Sequence, residues 1–169
     1  MMNLEDYVKE LEGTPYVWWR EGDSIHAGAP FWREEGVAPE SKKILKEGTN
    51  CAGFLNLVCR KYGIPIGGFG EKEYEDTAGG TYGWFEFLKT KNLLEVFDEK
   101  ETYPLGTLLL RQFYDEEDQG HVAIVCKDGK LAHSYTTKGV HLDESYRESH
   151  GWIEGGYYTH ICRKENWTK

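Results

Sequence analysis

Cys51 opens the apolar run CAGFLNLVC directly after Thr49-Asn50, two residue types that start helices. A thiol in the first turn of a helix has its anion stabilised by the helix dipole and by unpaired backbone N–H groups. That address suits a nucleophile. Such a thiol needs an imidazole that draws its proton and later returns it to a leaving amine. Six histidines are available. His121 opens HVAIV, and His133 lies in KLAHSYT, twelve residues on and past the turn signal Asp128-Gly129. If these segments pair as a hairpin, the two rings lie toward one end of it. One then faces the thiol and the other holds it from behind, the third-member role of a triad. An activated Cys51 would be a thiolate paired with imidazolium, reactive well below the ordinary thiol pKa of about 8.5.

The same residues also have a plainer reading. Free cysteine is among the most buried residue types, and a histidine at a strand start is commonly a satisfied polar group. Cys59, Cys126 and Cys162 are read as core filler. Cys51 shares the helical stripe of Leu55, Val58, Cys59 and Tyr62.

The elements that must position these groups can be read along the chain. Leu4, Tyr7, Val8 and Leu11 mark a short helix that Gly13 ends. TPYVWW follows as an extended piece. Residues 20–48 mix charges, Gly, Pro and the pair Phe31-Trp32, and read as a long loop with one helical turn near Ser41–Lys46. The Cys51 helix, capped by Asn50, stops at Gly63, and Pro65 prevents its resumption. WFEFLKTKNLLEVF reads as a helix leading into an extended segment. From Pro104 on, GTLLLRQF, HVAIVCK, KLAHSYT, GVHLD and YYTHICR read as five short strands, with a helical turn at ESYRESHGW. Helices first and a mostly antiparallel sheet second predict an α+β fold in one domain over residues 1–169, with 20–48 as an insertion.

Bulk properties narrow the function classes. The 169 residues carry a net charge of −9. With no basic cluster to offset it, that charge would repel a phosphate backbone, so nucleic acid is not an expected partner. The run Asp115-Glu116-Glu117-Asp118 reads as a solvated loop. No apolar run reaches the length of a membrane span, and the amphipathic, acidic start MMNLEDYVKELEG is not a secretory signal, so the expected location is cytoplasmic. Four cysteines without a tight spacing pattern predict reduced thiols. Glycine-rich GGFGEK and AGGTYG lack the context of a phosphate loop. Zinc on Cys51, His121 and His133 is chemically possible but has no supporting spacing, so neither a metal nor a cofactor is assigned.

GTNCAGFLNLVCRKYGI resembles the D-C-S-G-aliphatic signature of the NlpC family of papain-like cysteine peptidases. GTPYVWW resembles that family's P-Y-V-W-G-G stretch, and YPLGTLLLRQ its P-G-D-L-V-F-F strand. GHVAIVCKDGKLAHS is similar to G-H-V-G-I-Y-x-G-x-G-x-x-I-H-A, with the histidines twelve apart as that pattern requires, and GVHLDES fits the strand after it. The resemblance implies a papain-like fold in which the nucleophile helix packs on a sheet of about five strands. It implies Cys51 as nucleophile, His121 as general base and acid, and His133 as the residue orienting His121. Tyr16 and the backbone N–H of Cys51 would serve the substrate oxyanion, and Asn50 is assigned with Tyr16 to the substrate side of the site.

Departures from the pattern bear on substrate. The family's Asp and Ser around the cysteine help wall-peptide members hold a substrate amine. Here Asn50 caps without charge, and Ala52 offers no side-chain hydrogen bond. Trp19-Arg20 replaces a Gly-Gly pair. The implied activity is hydrolysis of an amide or isopeptide bond in a peptide or amide substrate, through a thioester on Cys51 and a Cys-His-His triad. Alternatives are acyl transfer from the same thiol to a lipid or amine acceptor, or a non-catalytic binding domain whose surface is the aromatic insertion. The sequence does not determine the oligomeric state.

Overall fold

The computed structural model describes residues 3–17, 35–115, 120–135, 138–145 and 158–169. Its architecture is α+β. Helices α1 (Leu4–Leu11), α2 (Ser41–Glu47), α3 (Cys51–Tyr62) and α4 (Thr81–Thr90) precede the sheet, and a short α5 (Lys164–Trp167) follows it. The strands are β1 (Glu95–Val96), β2 (Leu108–Arg111), β3 (His121–Val125), β4 (Leu131–Tyr135), β5 (Gly139–Asp143) and β6 (His160–Cys162). They form one sheet in the order β1-β6-β2-β3-β4-β5, and every pairing is antiparallel. The sixth strand, beyond the five the sequence predicts, is the two-residue β1. The helical turn expected near Ser41–Lys46 is α2. Phe31, Trp32, Trp19 and Arg20, and most of ESYRESHGW, lie outside the described residues, as do Glu116, Glu117 and Asp118 of the acidic run.

Period-2 alternation divides the core between the two faces of the sheet. Val122, Ile124, Ala132 and Val140 pack with α1, α3 and α4. Leu109, Ala123, Val125, Leu131 and Ile161 pack with Tyr103 and Tyr158 on the other face. Helix α3 is buried over its first nine residues, Cys51 to Cys59, and so on more than the stripe its spacing suggests. The sheet covers one side, while Tyr7 and Leu11 of α1 and Trp84 and Leu88 of α4 cover others. Each large apolar side chain so buried contributes roughly 1.5–3 kcal/mol.

Two glycines hold the chain close around the start of α3. Gly48 has φ 83°, and a Cβ there would stand 2.7 Å from the Pro15 carbonyl oxygen. Gly139 has φ 67°, and a Cβ there would stand 1.9 Å from the Thr14 carbonyl oxygen. Both positions admit only a residue without a side chain. The segment 13–17 is thereby fastened on both sides. Val140 N–H donates to Thr14 O (3.1 Å), Thr49 N–H to Pro15 O (3.0 Å), and Val17 N–H to Thr49 O (3.2 Å). Thr14, Thr49 and Ala52 are fully buried.

Candidate active site

Helix α3 begins at Cys51 because Asn50 caps it. The Asn50 backbone is extended, and its Oδ1 accepts from Gly53 N–H at 2.7 Å. That oxygen is therefore committed to the helix. Tyr16 forms an isolated parallel bridge with Thr49, which places it beside the nucleophile turn, half-buried. Ser134 Oγ donates to the Thr49 carbonyl at 3.2 Å and ties the same turn to β4, one residue from His133.

Cys51 is 3% exposed, and its sulfur lies 3.4 Å from Thr81 Oγ1, the first residue of α4. The start of α4 is fixed by a buried polar clamp. Trp84 Nε1–H donates to Asn56 Oδ1 at 2.8 Å, and Asn56 Nδ2 donates to the Gly79 carbonyl at 2.7 Å. Burial pushes the Cys51 thiol up. The Thr81 hydroxyl and the backbone N–H groups of Val122, Ala52 and Cys51 pull it partly back.

The two predicted histidines meet. His121 Nε2 lies 2.7 Å from His133 Nδ1. The β3–β4 register pairs Ile124 with Ala132 and Val125 with Leu131, across a turn in which Asp128 and Gly129 both have positive φ. Continued along the strands, that register makes His121 and His133 diagonal neighbours on one face, and the small Ala123 leaves room between them. This is what a spacing of twelve across this turn produces.

A third group continues the chain of bonds. His133 Nε2 lies 2.7 Å from Asp143 Oδ2 on β5. Burial works to raise the Asp143 carboxyl, but the hydrogen bond from His133 and the nearby His141 ring outweigh it and hold the group well below the usual carboxylate range. Burial lowers His133, and it lowers His121 well below the ordinary imidazole value, with His133 adding to the effect. The tautomers follow from the network. An ionised carboxylate only accepts, so His133 carries its proton on Nε2. Its Nδ1 must then accept, so His121 donates from Nε2. His121 Nδ1 is left as an unprotonated acceptor.

The thiol and this acceptor are not in contact. Among the described residues, the side-chain partner of the Cys51 sulfur is Thr81 and that of His121 is His133. Alternation puts His121, His133 and Asp143 on the sheet face that carries Ala123, Val125 and Leu131, while α3 packs on the other. The two groups are joined through the backbone at the start of β3. The Val122 N–H that acts on the sulfur belongs to the residue immediately after His121. Arg111, at the end of β2 and buried, is the register partner of His121 on the other side.

Sequence reasoning did not single out Asp143, His141 or Thr81. Alternation in GVHLD places His141 and Asp143 on one face and was a usable signal. Thr81 is thirty residues from Cys51 and has no local signal. Cys59, Cys126 and Cys162 are buried, and all four cysteines are free thiols. The described side chains that could ligate a metal are His133, His141 and Asp143.

These features define an α+β protein with a buried thiol at a helix start and a His-His-Asp relay at the adjoining end of the sheet. No family model and no curated protein matches the chain. A solved structure from Staphylococcus aureus, described as similar to a lipoprotein of the NLP/P60 family, aligns with 95% of this chain at 16% identity and a TM-score of 0.47. The chain spans 40% of that protein's length. Among the described residues no helix is long and apolar enough to cross a membrane.

Proposed function

We propose that the chain is an NlpC-like thiol hydrolase that cleaves an amide or isopeptide bond, with Cys51 as nucleophile, His121 as base and acid, and His133 and Asp143 as positioning residues. The observation that carries this reading is the relay. Asp143 fixes His133, His133 fixes His121, and the nitrogen left with a lone pair is His121 Nδ1, in the residue before Val122, whose backbone N–H helps to lower the Cys51 thiol. The ordered motifs around Cys51, His121 and His133 support it independently.

On this reading the resting thiol is neutral, and the proton moves during attack. The sulfur exchanges Thr81 for His121 Nδ1 at the end of β3 that both flank. It gives its proton to that nitrogen and bonds to the carbonyl carbon. The oxyanion is met by the Cys51 backbone N–H and the Tyr16 hydroxyl. Collapse breaks the C–N bond, and the proton on His121 Nδ1 goes to the departing amine. Water then loses a proton to His121 and adds to the thioester, releasing a carboxylic acid and the thiol. Throughout, His133 and Asp143 stabilise the His121 imidazolium without being consumed.

The testing experiment is active-site labelling. An amide-mimicking electrophile is expected to modify Cys51 in the wild-type chain and to leave Cys59, Cys126 and Cys162 untouched. Labelling spread evenly over the four thiols counts against the reading.

A further inference from the structure

The relay engages one oxygen of Asp143. The other faces His141, which the relay does not use. His141 stands directly opposite His133 in the β4–β5 register, with ring centroids 4.5 Å apart. Its Nδ1 lies 2.8 Å from the Gly139 carbonyl. A carbonyl only accepts, so Nδ1 carries the proton. His141 Nε2 lies 3.2 Å from Asp143 Oδ1, and that buried nitrogen has no hydrogen-bond partner. A buried imidazole nitrogen without a partner, beside a carboxylate oxygen, is a place for a cation. His133 Nε2 supplies a third side, since the ligand atoms of His133, His141 and Asp143 all lie within 4.8 Å of one another. Two imidazole nitrogens and a carboxylate oxygen are the donor set of a zinc-class ion.

We propose that His133, His141 and Asp143 bind a divalent ion of the zinc class, and that its binding switches off the thiol. The binding half stands on the geometry alone, and the switching half rests on the relay reading above. A metal on His133 Nε2 displaces the proton from that nitrogen, so neutral His133 carries it on Nδ1 instead. His133 Nδ1 then donates to His121 Nε2, which must accept. The proton of His121 moves to its Nδ1, the position that has to take the thiol proton. Each ring keeps one proton, and the direction of every hydrogen bond in the relay reverses.

The test uses the full chain with Cys51→Ala, so that no thiolate of the site can hold metal. Zinc chloride is titrated against a chromogenic chelator, and cobalt(II) is added as a spectroscopic probe. The expected result is one equivalent bound, a cobalt spectrum of nitrogen and oxygen ligation without thiolate charge transfer, and binding weakened roughly tenfold or more by adding His141→Gln. No stoichiometric binding overturns the site, as does binding that His141→Gln leaves unchanged. The cobalt spectrum of Cys51→Ala alone decides the matter if the double variant does not fold. In the wild-type chain, zinc is expected to slow acylation of Cys51 by an activated ester at least tenfold and EDTA to restore it. Stoichiometric binding with unchanged acylation overturns the switch and keeps the site. Because binding is read without the thiol and thiol chemistry is read without metal, either can fail alone.

Discussion

His121 Nε2 and His133 Nδ1 stand 2.7 Å apart, and the proton between them belongs to His121 because Asp143 holds the other proton on His133. Asp143→Asn breaks that logic, since an amide can donate where the carboxylate only accepts. His133 can then turn its proton toward His121, and His121 Nδ1 loses its lone pair. Acylation of Cys51 is expected to fall by about 10²-fold or more, the range general-base catalysis contributes. Stopped-flow acylation by an activated ester, with circular dichroism to verify the fold, checks this. An Asp143→Glu variant that recovers part of the rate separates positioning from mere structure.

Thr81 is the hydroxyl against the Cys51 sulfur, and it lowers the thiol pKa that burial raises. Thr81→Val should move the pH profile of Cys51 alkylation upward by up to about one pH unit, the equivalent of one hydrogen bond of roughly 0.5–1.5 kcal/mol. Thr81→Ser should restore it. An unmoved profile would show that the hydroxyl does not act on the sulfur.

The resting thiol sets a pH dependence different from the one the motif alone suggests. A thiolate–imidazolium pair would label readily at mildly acidic pH. With burial raising Cys51 and lowering His121, simple alkylation should instead keep rising through and above the ordinary thiol range near 8.5. A plateau already reached at pH 6 would restore the preformed ion pair.

Alkaline stability follows from the other buried acids. Burial raises Cys126 and Cys162 to about 12 each, and Tyr7 to about 12. A group whose folded pKa is raised contributes fully below its unfolded pKa and loses that contribution as pH rises toward the folded value. The loss therefore begins near 8.5 for the thiols and near 10 for Tyr7. Thermal melts in reductant should show Tm constant up to about pH 8 and falling from there to pH 10.5. A Tm that rises over that interval contradicts the burial of these groups.

Asn56→Ala removes both bonds of the clamp and leaves the Trp84 N–H and the Gly79 carbonyl without those partners. A loss of about 1–3 kcal/mol per unsatisfied group is expected in urea denaturation. Because the clamp positions Thr81, the alkylation profile should shift in the direction given by Thr81→Val.

The parts of this account differ in how legible they are in the chain. The α3 start is written in Asn50, the histidine pair in a spacing that fits one hairpin turn, and the α+β order in the succession of periodicities. Asp143 and His141 follow from alternation in GVHLD, but nothing local marks them as partners of His133, because that pairing depends on the β4–β5 register. The contact of Thr81 with Cys51 depends on how α4 docks, through Asn56, whose polar side chain on an apolar helix carries no address. β1 lies in the extended segment that WFEFLKTKNLLEVF predicts after its helix, and its two residues are too few for a period to mark them as a strand of the sheet. The burial of α3 beyond one stripe reflects two further helices packed on it, a tertiary fact.

The measurement that bears most directly on the central claim is the rate at which an activated acyl ester acylates Cys51, read by mass spectrometry, in wild-type, Cys51→Ala and His121→Gln chains. The account predicts an adduct on Cys51 in the wild-type chain, none at that position in Cys51→Ala, and formation slowed by about 10²-fold or more in a folded His121→Gln. Equal acylation rates with and without the His121 imidazole would contradict it, and would leave Cys51 a buried thiol beside a hydrogen-bonded histidine pair that does not act on it.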